Sequence, residues 1–174
     1  MSTVLASDCV GLWRRTLLVE ADGSRDTAAG VTWLQGITAF VDSRGFAGIL
    51  HDSDGVFEWR RSVDLEPPAS PDIGEMRWEE DTLVETGVHA DYVEHWVRDD
   101  TPQTPCWACF LAGPDGQPGL LLRVGTQFGF AGAGHVVIGE IGGPEWGTVE
   151  VGQKTVRADH MLWTIERREG IAGI

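Results

Sequence analysis

Short runs of alternating apolar and polar residues, separated by turn clusters, organise this chain. The alternation is clearest in Val31-Thr32-Trp33-Leu34-Gln35-Gly36-Ile37, in Val56 to Val63 and in Tyr92 to Arg98, and a period of two is the signature of a strand with one buried face. Turn residues punctuate the runs at Asp22-Gly23-Ser24, Ser43-Arg44-Gly45, Asp52-Ser53-Asp54-Gly55, Pro67 to Pro71, Glu79-Glu80-Asp81, Asp99 to Pro102, Gly113-Pro114-Asp115-Gly116 and Gly142-Gly143-Pro144. No segment sustains a 3.6-residue apolar stripe for three turns; the best helical candidate, Asp159 to Glu169, also alternates as a strand. The pattern predicts an all-β chain of about ten to twelve antiparallel strands with little helix.

A barrel fits better than a sandwich. Several strands carry large side chains on both faces, as where Trp13 and Arg15 oppose Leu12 and Leu18. A calycin-like barrel of about ten strands encloses room for side chains or one small ligand, and eight Trp need such an interior. Residues 1–174 read as one barrel domain, with Asp99-Asp100-Thr101-Pro102-Gln103-Thr104-Pro105 as a long loop between two halves of it.

Composition narrows the partners. Thirteen Lys plus Arg against 27 Asp plus Glu leave a net charge of −14, which argues against nucleic acid and anionic membranes. No apolar run reaches the ~20 residues of a membrane helix, and Met1 to Asp8 lacks the pattern of a secretory signal. A cytoplasmic protein with reduced thiols is expected, and a homodimer stays open. Lys154 is the only lysine beside twelve Arg, and Asn is absent. That bias fits a GC-rich bacterial origin.

Familiar chemistry is missing. Cys106-Trp107-Ala108-Cys109 has neither a second ligand pair nor a helical context, so it reads as buried thiols in a strand. Asp52-Ser53-Asp54-Gly55 has Leu50 at the first ligand position of a calcium loop and reads as a hairpin turn. Gly132-Ala133-Gly134 lacks the third glycine of a dinucleotide fingerprint. The histidines at 51, 89, 95, 135 and 160 have no metal-ligand spacing. Neither a metal nor a cofactor is called for.

The best constellation is Tyr92-Val93-Glu94-His95-Trp96-Val97-Arg98. Alternation puts Tyr92, Glu94, Trp96 and Arg98 on one face. A carboxylate between aromatics inside a lumen would have its pKa raised. One residue of Arg60-Arg61 must also face inward, and Arg14-Arg15 presents the same choice. A buried guanidinium needs a carboxylate, with Glu94 or Glu85 the natural partner and Trp13 or Trp33 the stacking ring.

Gly11-Leu12-Trp13-Arg14-Arg15, followed in order by Trp33-Leu34-Gln35, Val41-Asp42-Ser43-Arg44, Phe46-Ala47-Gly48, Trp59-Arg60-Arg61, Asp72-Ile73-Gly74-Glu75-Met76, Leu83-Val84-Glu85-Thr86-Gly87 and the 92–98 segment, resembles an uncharacterised family of bacterial calycin-like barrels. It is similar also to the fungal HRI-type proteins, in which an Asp-Gly-Glu-Met segment precedes a Tyr-Glu-Trp-Arg segment. The resemblance spans roughly residues 10 to 130 and implies a lipocalin-like or fatty-acid-binding-protein-like barrel; it implies no activity. Nitrobindin-like haem barrels are more distant: Arg15 stands where their Gly-x-Trp-x-Gly-x-Gly signature has its second glycine, and only His160 offers a proximal ligand by analogy.

The leading expectation is a non-enzymatic binding module for a small, partly apolar or amphipathic ligand in the lumen. Trp13, Trp33, Gln35, Trp59, Arg61, Tyr92, Glu94 and Trp96 would line it. The rival is a cofactor-free isomerase, cyclase or lyase, with Glu94 as acid or base, Arg61 as anion clamp and Tyr92 as second donor. A protein-interaction barrel is a third class.

Overall fold

The computed structural model describes residues 3–27 and 30–170; Met1 and Ser2 of the segment read for a signal lie outside them. Helix is confined there to two single 3-10 turns, Ala6–Cys9 and Trp146–Thr148. Everything else regular is antiparallel sheet, as the alternation predicts. Sixteen strands are described, and they form two sheets.

The first sheet closes on itself. It contains β1 (Gly11–Val19), β2 (Arg25–Asp26), β3 (Thr32–Gln35), β4 (Ala39–Asp42), β5 (Phe46–Ser53), β6 (Val56–Asp64), β7 (Ile73–Glu79), β8 (Thr82–Gly87) and β9 (Val93–Arg98). Strand β1 pairs with β3 on one side and β9 on the other, so eight strands, β1 and β3 to β9, make an up-and-down barrel, with β2 appended to β1. Closure removes both free edges.

The second sheet stays open. It runs β13 (His135–Glu140), β12 (Gln127–Gly132), β11 (Pro118–Val124), β10 (Cys106–Ala112), β16 (Met161–Gly170), β15 (Thr155–Ala158) and β14 (Glu150–Val151). The 99–105 segment, expected as a loop within one barrel, is where the chain leaves the barrel for this sheet. The ambiguous stretch from Asp159 resolves as strand β16 because it pairs with β10 on one side and β15 on the other.

The two sheets share an apolar core. Leu12, Leu34, Val41, Ala47 and Val63 on the outer barrel wall pack with Ala108, Leu120, Leu122, Val124 and Ala131 of the open sheet. Glu169 fastens the contact: its Oε1 accepts the backbone N–H of Thr38 at 2.9 Å and of Ala39 at 2.7 Å. Cys109 is buried and Cys106 half-buried in β10, both as free thiols, and burial pushes both pKa values up. Asp54 and Gly55 turn the β5–β6 hairpin, both with positive φ.

Two bulges reset the alternation. Between Arg15 and Leu17 the register with β9 shifts, so Leu18 lies opposite Glu94 and turns to the barrel mouth, where simple alternation keeps it with Leu12 on the outer wall. On β6 the register shifts opposite Ala47/Gly48, which sends Val63 into the inter-sheet core and leaves Asp64 beside Arg61. A bulge inserts one residue and inverts the faces beyond it.

Candidate functional site

The lower lumen is full. Trp13 and Trp33 stack at 5.6 Å, and Trp33 meets Trp59 and Trp96 edge-on, each at 5.7 Å. Phe40, Phe46, Leu50, Phe57, Met76 and Leu83 complete the packing. Arg98 closes the far end: its guanidinium lies 4.9 Å from the Trp13 ring and donates to the carbonyls of Asp8 and Val10.

The other end is open for a local reason. Strand β6 extends to Asp64, but its ladder with β7 covers only Val56 to Glu58. Above it the chain runs through Pro67, Pro68 and Pro71, which have no N–H to donate to a ladder. The resulting gap leaves a cavity of about 250 Å³. Leu18, Ile73, Pro68 and Pro71 give it apolar surface, and Arg15, Arg44, Arg61, Asp72, Tyr92 and Glu94 give it polar groups, Leu18 lying directly across the ladder from Glu94. A wider cleft of about 600 Å³ at the opposite end is bordered by Glu80, Asp81, Asp99 and Asp100. None of those four carboxylates is buried, so the mouth is where charge has been taken out of water.

Every guanidinium at the mouth is already paired. Glu94 Oε2 accepts from Arg15 at 3.0 Å and from Arg44 at 3.3 Å. Arg44 also holds both oxygens of Asp42, at 3.0 and 2.9 Å, in a fork-to-fork contact. Arg61 donates to Asp64 at 3.1 Å and Asp72 at 2.6 Å, and lies 3.5 Å above the Phe46 ring. Its Nε is buried without a partner among the described residues.

Glu85 takes no hydrogen bond from an arginine among the described residues. It lies directly across the ladder from Glu94, both side chains inward, and its hydrogen bond comes from the Tyr92 hydroxyl at 2.6 Å. Two glycines make the room. A Cβ on Gly74 would sit 2.6 Å from Glu85 Cγ, and one on Gly87 would sit 2.5 Å from the Tyr92 ring. Gly74 and Gly87 are themselves cross-strand partners. Burial, then the adjacent Glu94, pushes the Glu85 pKa well above the usual carboxylate range. Burial also pushes Glu94 up, with Arg44 and Arg15 pulling against it, and burial beside Glu85 keeps the Tyr92 phenol protonated.

The expected site residues divide. Arg61, Tyr92 and Glu94 do line one cavity. Glu94 and Trp96 on β9 face inward, Tyr92 just before the strand borders the same cavity as Glu94, and Val97 is exposed. Arg61 faces inward while Arg60 is exposed against Glu58, as alternation requires. The partners differ from those expected: Arg61 pairs with Asp64 and Asp72 and stacks on Phe46, because the β6 bulge and the β6–β7 gap bring those groups to it. Glu94 is held instead by Arg15, the inward member of the other arginine pair; Arg14 is exposed against Asp99. Trp13, Trp33, Trp59 and Trp96 serve chiefly as packing below the cavity. Gln35 lies in the lower lumen, accepting from Trp33 Nε1 at 3.0 Å and donating to the Gly36 and Thr38 carbonyls. His160 is exposed at the β15–β16 hairpin tip, away from the barrel.

Sequence patterning does not single out Asp42, Arg44, Asp64 or Asp72. Each lies in a turn cluster or beside one, where a charged residue ordinarily means solvent. The usable signal is Asp42-Ser43-Arg44: an Asp that bonds the backbone N–H two residues on, at 2.9 Å, also fixes the Arg that follows. Among the described residues no group of three His, Cys, Asp or Glu side chains is placed to hold a metal ion. No helix there is long and apolar enough to cross a membrane.

No protein-family model matches the chain, and no curated protein matches it. Among solved structures it is similar to an uncharacterised protein of Saccharomyces cerevisiae, with a TM-score of 0.57 and 12% identity over 91% of this chain and 98% of that one. At that identity the likeness concerns the fold alone. It extends over both sheets rather than the barrel only.

Proposed function

We propose that the barrel mouth binds a small amphipathic molecule without turning it over. The observation that supports this is the cavity of about 250 Å³ whose lining combines apolar residues with a network of paired arginines and carboxylates. Small-molecule sites commonly combine an apolar wall with a few fixed polar groups. The volume lies below the common range of about 300–1,000 Å³, which favours a compact metabolite over a lipid. The three arginines come with Asp42, Asp64, Asp72 and Glu94 already bound to them. A ligand carboxylate would have to displace one of these, so neutral or zwitterionic groups, able both to donate and to accept, fit better than an anion.

A cofactor-free acid catalyst is the second reading, favoured by one observation. Glu85 has a raised pKa and accepts a hydrogen bond from Tyr92, which borders the cavity. Such a catalyst would use Glu85 in the role expected of Glu94, since two guanidiniums grip Glu94 and two aspartates occupy Arg61.

Native mass spectrometry of freshly purified protein tests the binding reading. A co-purified small molecule, lost in a Leu18→Arg variant that fills the cavity, is the expected result. Protein free of adducts, with no thermal stabilisation by panels of polyols, zwitterions and small acids, would overturn it.

A further inference from the structure

Beneath the cavity lies a chamber of about 10 Å³, walled by Trp33, Asp42, Arg44, Phe46, Trp59, Asp72, Glu85 and Trp96. It shares Arg44 and Asp72 with the cavity above. Its volume corresponds to about one water-sized sphere, the smallest space that admits a single oxygen. Trp96 is 1% exposed, and its Nε1–H is buried without a hydrogen-bond partner among the described residues.

An unmade hydrogen bond on a buried donor costs about 1–3 kcal/mol. Trp107 Nε1 is also buried without a partner among the described residues but borders neither the cavity nor the chamber, and three other buried indoles of this protein avoid the cost. Trp13 donates to the Cys9 carbonyl at 2.7 Å, Trp33 to Gln35 at 3.0 Å and Trp163 to the Ala158 carbonyl at 3.1 Å. We infer that the chamber is a one-oxygen subsite, in which a hydroxyl or water oxygen accepts the Trp96 Nε1–H. The walls select that chemistry. An oxygen bordered by the Asp42 and Asp72 carboxylates, with Arg44 and Glu85 beside them, must be able to donate as well as accept. A water or an alcohol does both; a carboxylate does not, and would face like charge.

The oxygen has two sources, a water or a hydroxyl reaching down from a molecule in the cavity. The second rests on the binding reading of the mouth; the first does not. Indole N–H signals of uniformly ¹⁵N-labelled protein distinguish them. The Trp96 signal is assigned by Trp96→Phe or, if that variant does not fold, through its edge-on contact with Trp33. Spectra are recorded on protein as purified and after unfolding, dialysis and refolding. The expected Trp96 proton resonates as far downfield as those of Trp13, Trp33 and Trp163. If the downfield position survives refolding with a cross-peak to water, the occupant is water. If refolding moves the signal upfield, the occupant is a hydroxyl of a co-purified molecule. A Trp96 proton upfield of all three references in both samples, with no cross-peak to water, overturns the inference. Mass spectrometry reports the mouth separately, so protein without adducts but with a water-bonded Trp96 would lose only the ligand source.

Discussion

The two sheets handle buried polarity in opposite ways. The open sheet packs Trp107, Cys109, Leu111, Leu121, Phe128, Phe130, Val156 and Trp163 together, and the one buried polar side chain on its strands is Gln127 among the described residues. The closed barrel fills its lower lumen just as apolarly, then buries Asp42, Glu85 and Glu94 at one end. Both sheets belong to one chain of one composition, and the open one is built without buried carboxylates among the described residues. Buried ion pairs are weak contributors to stability, because desolvation offsets most of their attraction. The ionic floor is therefore explained better by the cavity it borders than by any need of the architecture.

The strongest test of that difference dismantles the floor one member at a time. Arg15→Met leaves Glu94 with Arg44 alone, and should lower stability by about 3 kcal/mol in denaturant titration. Arg15→Leu combined with Glu94→Leu should recover to within about 1 kcal/mol of wild type, because an apolar pair replaces a buried ionic one at little net cost. If the double variant is no better than the single one, the cluster holds the barrel together and has a purely structural reason to exist.

Gly74→Ala probes the cradle. Its new Cβ would meet Glu85 Cγ at 2.6 Å, and overpacking of this kind costs about 2 kcal/mol. The same substitution at Gly116, where nothing lies within 4 Å of the added atom, tests only its positive φ and is a poor mimic. The paired variant Gly74→Ala with Glu85→Ala is the informative control and should regain part of the loss.

Glu85 supplies a pH signature that the open sheet lacks. Its folded pKa is raised, by burial and by Glu94, whereas in the unfolded chain it ionises near pH ~4.3. Its contribution to stability is thus complete below that pH and declines as pH rises toward the folded value. Glu85→Gln should match wild type under acid conditions and become the more stable protein at neutral pH, by about 1 kcal/mol. Thermal melts of both across that range decide it; a constant difference would mean that Glu85 ionises normally.

The least effect belongs to Arg14, the outward neighbour of Arg15. Its side chain is 54% exposed and pairs with Asp99, so Arg14→Ala should change stability by no more than about 0.5 kcal/mol. A loss comparable to that of Arg15→Met would erase the distinction between the two faces of β1.

Much of this architecture is legible in the amino-acid sequence. Alternation names the inner face of β9 and places one arginine of Arg60-Arg61 inside. The turn-rich 99–105 segment reads as a seam, but within one barrel, whereas it joins the barrel to a second sheet. Pairing is where the pattern misleads: it suggests Glu94 for Arg61, though Arg15 and Arg44 hold Glu94. Local alternation tells which way a side chain points and nothing about which strand faces it. The aromatic lining misleads for a related reason. Trp13, Trp33, Trp59 and Trp96 all point inward as expected, yet they meet one another and fill the lumen.

Strand period, turns and the inward or outward sense of most side chains follow from the sequence alone, because these depend on neighbours two or three residues away. Closure at eight strands, the second sheet packed on the barrel wall, and the bulges that redirect Leu18, Val63 and Asp64 belong to the tertiary structure. So does the raised pKa of Glu85. Those outcomes depend on residues such as Arg15 and Glu94, 79 positions apart. Their contact exists only once β1 and β9 have paired.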